Sequence, residues 1–126
     1  MKRGFTLIEL IVVIIIVGIL AAVGMTQYTK VVEKGRAAEA RLILGSLRTA
    51  QVSYFMENDV YTGIADLNVA APTSCATTHY FSYSCASATG TCTATRCTTG
   101  GKTPQGASAY TKTVTIDGVW GGDAGY

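Results

Sequence analysis

The chain has 126 residues, a mass of 13.2 kDa and a formal net charge of +2, enough for one small domain and too weakly basic for a nucleic-acid binder. Two of the positive charges, Lys2 and Arg3, stand at the extreme N-terminus, and without them 8 basic residues face 8 acidic ones. Such a balance lets many copies pack together without accumulating repulsion. An enzyme is not indicated: His79 is the single histidine, it stands among threonines and tyrosines, and neither Asp66 nor Asp117 pairs with it on sequence grounds. With no phosphate loop, metal-ligand cluster or basic patch, no cofactor is expected.

The stretch from Leu10 to Met25, LIVVIIIVGILAAVGM, carries no charge, and counting from Phe5 gives 21 residues with one charge, Glu9. As a helix it spans about 30 Å, the thickness of a bilayer core. Leu10, Ile16 and Leu20 are representative membrane-facing positions. Lys2 and Arg3 precede the run, which places the N-terminus in the cytoplasm and the remainder outside. A plain single-span anchor fits the run, as does a secretory signal peptide cut near Gly24, though the signal peptide leaves Glu9 unexplained. A carboxylate inside an apolar run is costly and marks function.

From Thr26 to about Asn58 the pattern becomes amphipathic. Leu42, Gly45, Thr49, Val52 and Met56 recur at steps of 3 and 4, with a second row, Ile43, Leu47, Ala50 and Tyr54, beside it. No proline interrupts residues 5 to 71, so one helix from about Phe5 to Glu57 is predicted, roughly 80 Å long. The aromatic residues Tyr28, Tyr54, Phe55 and Tyr61 read as packing groups.

Asn58, Asp59 and Gly63 end the helix, and Ile64 to Leu67 reads as a short helical turn or loop. From Ala70 to Ala109 the chain is rich in Thr, Ser, Ala, Gly and Cys. Tyr80–Cys85 and Tyr110–Ile116 have strand composition, and Asp117-Gly118 turns the chain back into Val119-Trp120, with the tryptophan expected in the core. Cys75, Cys85, Cys92 and Cys97 lack C-x-x-C spacing and read as two disulfides formed in an oxidising compartment. Of the three pairings, Cys75 with Cys85 and Cys92 with Cys97 closes the shortest loops and is favoured. The expected fold class is α+β, a long helix packed on a small antiparallel sheet.

The opening Met1-Lys2-Arg3-Gly4-Phe5-Thr6-Leu7-Ile8-Glu9, followed by an apolar run ending in ILAA, resembles the N-terminus of type IV pilins and of the pseudopilins of type II secretion. The resemblance is close over residues 1–23, holds by pattern to about Gly63, and does not reach the head. It implies a leader of residues 1–4, cut between Gly4 and Phe5 by prepilin peptidase, with N-methylation of Phe5. Together with the periodicity and the cysteines, it leads to an expected division of the rest into a membrane and filament-core helix over 5–25, an amphipathic helix over 26–58 and a disulfide-stapled head over 59–126. It implies that Glu9 pairs with the amino group of Phe5 on an adjacent subunit, and that assembly requires an inner-membrane platform with a cytoplasmic ATPase. The partners are then copies of the chain and other pilin-like subunits, first in the inner membrane and then in an extracellular or periplasmic filament.

Two features depart from the family pattern. Many pilins carry a proline where Thr26 stands, so local unwinding of the helix there is not supported. The calcium loop of major pseudopilins, with its Asp-Pro-Trp-Gly element, is represented only by Asp117-Gly118-Val119-Trp120-Gly121-Gly122-Asp123, which reads more simply as a hairpin. The expected function is therefore a pilus subunit. A pseudopilin is the alternative, and a membrane-anchored surface-binding module would require a ligand site that the head does not display.

Overall fold

A computed structural model describes residues 3–124 of the chain; Met1 and Lys2 of the expected leader lie outside the described residues. The helix α1 runs Leu7–Asn58 without interruption. Its first turn is closed by a capping box: the Thr6 N–H and Oγ–H donate to Glu9 Oε2 at 2.8 and 2.9 Å, and the Glu9 N–H donates to Thr6 Oγ1 at 3.4 Å. The start therefore falls two residues after the expected Phe5, because Thr6 serves as the cap. At the other end the Asp59 N–H donates to the Phe55 carbonyl at 2.8 Å, and Asp59 itself turns left-handed with φ 56°. Thr26 does not bend the helix; its hydroxyl donates back to the Val23 carbonyl at 3.0 Å.

The chain divides into two compact units after Lys34. In the first, α1 is solvent-exposed on every face as far as Val31. In the second, Ala37, Ala40, Leu44, Leu47 and Gln51 form the buried stripe of α1, at steps of 3 and 4. This stripe adjoins the second row read from the sequence and lies away from the first. Leu47 belongs to the second row, whereas Leu42 and Met56 of the first row are exposed.

Four strands, β1 Phe81–Cys85, β2 Cys92–Arg96, β3 Thr111–Val114 and β4 Trp120–Gly122, form an antiparallel meander in the order β1-β2-β3-β4. The architecture is thus α+β, as expected. Phe81, Tyr83, Cys92, Ala94, Tyr110 and Val114 meet the helix stripe in one core, and burying a Leu or Phe side chain contributes about 1.5–3 kcal/mol. The strand β2 was not anticipated, because its inward residues are Cys92, Ala94 and Arg96, not the large apolar set that signals a strand. The β3–β4 loop turns at Asp117-Gly118 as expected: the Gly118 N–H donates to the Thr115 carbonyl, and Gly118 has φ 86°, a conformation that favours glycine.

Two expectations are corrected. The disulfides are nested, Cys75 with Cys97 and Cys85 with Cys92, not sequential. The sheet register sets Cys85 directly opposite Cys92, which leaves Cys75 to reach Cys97 just beyond β2. Trp120 is 48% exposed and lies on the edge strand β4, outside the core.

Candidate functional site

The residues singled out by the sequence gather at the start of α1. Gly4 and Phe5 precede the helix as irregular, exposed backbone, and a side chain at Gly4 would meet nothing within 4 Å. Phe5 is 84% exposed. Phe5, Ile8, Glu9, Leu10, Val12 and Val13 line one open, almost wholly apolar groove along the helix surface. Glu9 is its only ionisable member, and there the Thr6 N–H and hydroxyl hold the carboxylate. Thr6 was missed as a functional residue, although the Thr-x-x-Glu spacing that announces a capping box is explicit in the sequence.

Beyond the groove, Leu10, Ile16 and Leu20 are all more than half exposed. The whole apolar window is unburied within the subunit, and it is long and apolar enough to cross a membrane. The helix of a water-soluble domain hides such a stripe; this one leaves its full circumference uncovered.

The head offers no catalytic grouping among the described residues. His79 is engaged by Ser74 and Thr78: its Nε2 lies 2.6 Å from the Ser74 carbonyl and its Nδ1 lies 3.0 Å from Thr78 Oγ1. Asp66 accepts a hydrogen bond from Thr62 Oγ1 at 2.6 Å. Asp123, half of the calcium candidate, accepts from the Thr111 N–H at 2.7 Å and from the Thr111 hydroxyl at 3.1 Å, which pins the end of β4 to β3. These bonds hold its carboxyl below the usual range. No group of three or more potential metal ligands occurs among the described residues. Of the aromatic set, Phe55 and Tyr61 stack at 4.6 Å, and Tyr28 is exposed on the first unit.

Three polar residues inside the head were not legible as structural keys. The Gln51 side-chain amide is buried and bonds both backbone groups of Thr62, tying the chain reversal to α1. Arg96 is 1% exposed and donates to the carbonyls of Tyr80, Cys97 and Pro104, each at 3.1 Å. Lys112 lies at an inward position of β3 and donates to the Asp123 carbonyl at 2.6 Å. Burial, and then the Arg41 charge, lower the Lys112 pKa against the opposing pull of Asp123.

The described residues thus present an exposed apolar helical run with a capped acid near its start. Residues 1–25 match the prokaryotic N-terminal methylation motif. Over a longer stretch the chain is similar to type IV major pilins. It is 45% identical over 65 residues to the type IV major pilin protein PilA of Myxococcus xanthus, covering 52% of this chain and 30% of that one. It is 36% identical over 74 residues to the type IV major pilin protein PilE1 of Neisseria gonorrhoeae, covering 59% and 35%. A fimbrial protein of Neisseria meningitidis serogroup B is 38% identical over 63 residues, covering 50% and 37%. The chain thus spans about a third of the length of the curated relatives it matches.

Proposed function

We propose that the chain is a structural subunit of a type IV pilus-like filament, assembled through its N-terminal helix. One observation carries this reading: the methylation motif contains an apolar helical run that the subunit leaves uncovered. Such a surface requires lipid before assembly and neighbouring helices after it.

In this reading prepilin peptidase removes residues 1–4, cutting between Gly4 and Phe5, and Phe5 is N-methylated. The mature chain keeps residues 5–25 as a single-pass inner-membrane helix with its N-terminus cytoplasmic, followed by an amphipathic segment over 26–58 and a head over 59–126. Thr6 survives processing, so the cap on Glu9 survives with it. The Thr6 donors solvate the carboxylate until the amino group of a neighbouring Phe5 replaces them. Opposite charges 4 Å apart attract by about 4 kcal/mol at an effective dielectric of 20, before desolvation is subtracted. That is enough to favour one register of helix against helix. The work of extraction falls to an inner-membrane platform and its cytoplasmic ATPase, and the heads form the outer layer of the filament.

Intact mass spectrometry of sheared surface filaments and of the membrane fraction, with and without reduction, tests the proposal. The expected filament-derived mass lacks Met1 to Gly4, gains one methyl group and is four hydrogens lighter than the reduced form. A product beginning near Met25 would overturn it, and a processed product confined to membranes would place the chain in a secretion pseudopilus.

A further inference from the structure

From Thr49 to Ile116 the charges of the head are sorted along the chain, with mixed charges on α1 before this stretch and Asp117 and Asp123 after it. Between Thr49 and Thr95 the Asp, Glu, Lys and Arg residues are Glu57, Asp59 and Asp66; between Arg96 and Ile116 they are Arg96, Lys102 and Lys112. The fold converts part of this order in sequence into an order in space. Where the chain turns back after α1, Glu57 and Asp66 line a cleft of about 300 Å³ together with Tyr54 and Asn68. Asp59 follows the helix end directly. At the other end of the head's helix, three cations surround one ring. The Arg36 guanidinium stands 4.7 Å from the Tyr80 centroid, with the Arg96 guanidinium and the Lys102 ammonium each at 5.1 Å.

Arg36 and Glu57 sit on the same continuous helix, about 30 Å apart at ~1.5 Å per residue. The head therefore has a basic pole around Tyr80 and an acidic pole around the Glu57–Asp66 cleft. Within the basic pole the roles differ. Arg96 is held inside by three carbonyls and contributes field only, whereas Lys102 follows Gly100 and Gly101 on an exposed loop and can reach outward. Glu39, about one turn beyond Arg36, acts on the buried Tyr83 phenol.

We propose that the two poles dock head-to-tail between copies of this chain, the Lys102 end of one head meeting the Glu57–Asp66 cleft of another. This rests on the filament reading and adds to it which head surfaces meet. Two complementary but different surfaces on one molecule make a heterologous contact, which repeats in an open array and does not close on itself as a dimer. Exposed ion pairs are individually weak. Repeated at every subunit, they select register and exclude wrong partners, which is where charge complementarity acts most strongly.

The test is charge reversal in a bacterium that assembles the full-length chain, reading the filament yield of sheared surface fractions against the processed subunit in membranes. Glu57→Lys suits the last turn of a helix, whose carbonyl end favours a cation, and Lys102→Glu alters an exposed loop. Neither change touches the core. Each single reversal is expected to lower filament yield by about fivefold or more, with membrane levels unchanged. The double reversal, which restores opposite poles, is expected to recover yield to within about twofold of the wild type. Wild-type yield in both single variants would overturn the proposal and leave the filament reading intact. So would loss in Glu57→Lys alone, which would assign the cleft to another cation. Absence of filaments from the wild-type chain would instead overturn the filament reading itself.

Discussion

Arg96 shows how a single residue sets the inner surface of the sheet. Its neighbours on the inward side of β2 are Ala94 and Cys92, and its guanidinium stands 5.1 Å from the Tyr80 ring centroid and 5.6 Å from that of Phe81. Its donors meet three carbonyls from separate parts of the chain, those of Tyr80, Cys97 and Pro104. Removing the group strands those carbonyls, at about 1–3 kcal/mol for a buried polar group left unpaired. Arg96→Met is expected to destabilise the full chain in detergent by roughly 3 kcal/mol in denaturant unfolding. Arg96→Lys is expected to recover little of this, because one ammonium cannot reproduce the planar fork. Tyr83 gives a prediction in pH. Burial, and then the Glu39 charge, raise its phenol well above the ordinary value of 10.0. The folded state therefore holds the proton more tightly than the unfolded state. Its contribution is complete below pH 10 and falls as the pH rises from the ordinary value towards the folded one. Alkaline unfolding should begin near pH 10, and Tyr83→Phe should flatten that limb of the stability profile.

At the scale of elements, the nested disulfides do unequal work. Cys75 and Cys97 are 22 residues apart in sequence, Cys85 and Cys92 only 7. The longer loop restricts the unfolded chain more, by about 1 kcal/mol in the loop-entropy account. Replacing Cys75 and Cys97 with serine should therefore lower the denaturation midpoint further than replacing Cys85 and Cys92, and peptide mapping without reduction checks the pairing itself. This pairing was hidden in the sequence because it depends on the register of β1 against β2, and β2 offers no apolar alternation. The helix was legible because its signals extend over some fifty residues: unbroken hydropathy, then steps of 3 and 4, and no proline. The two rows separate as inside and outside: Ile43, Ala50 and Tyr54 pack beside Leu47 at the core, whereas Leu42 and Met56 are exposed. Leu42 and Leu44 are equally apolar, and only the small Ala37 and Ala40, which allow the sheet to approach, mark the side that is buried. The Thr6–Glu9 cap is explicit in the Thr-x-x-Glu spacing of the sequence. Glu9 plays a local role in the isolated chain whatever it does in an assembly. Thr6→Val removes both the hydroxyl donor to Glu9 and the acceptor for the Glu9 N–H, a loss of about 1 kcal/mol, visible as faster amide exchange in the first turn of α1 in micelles.

For the molecule as a whole, the division of α1 between inward and outward residues separates folding from assembly. Leu44 is 0% exposed and packs in the core, whereas Leu42, two positions away, is 75% exposed. A helix that only needed to support its sheet would gain nothing from Leu42 or from Met56, which is similarly bare. If these residues serve a second surface, changes at the two leucines must have opposite signatures. Leu44→Ala removes a filled core position and should cost about 3–5 kcal/mol, reducing the amount of folded subunit at every stage, in membranes and filaments alike. Leu42→Glu places a charge where water already reaches, so the unfolding midpoint of the detergent-solubilised chain should move by no more than about 0.5 kcal/mol in equivalent stability. In a packed filament the same carboxylate would lose its water against a neighbour's apolar surface, at a cost of several kcal/mol. Normal membrane levels of processed Leu42→Glu subunit with filaments strongly depleted would show that the outer row is an assembly surface. Normal filament yield would mean that the exposed row faces solvent in the assembled state too, and that contacts between subunits run through the N-terminal helix and the heads alone.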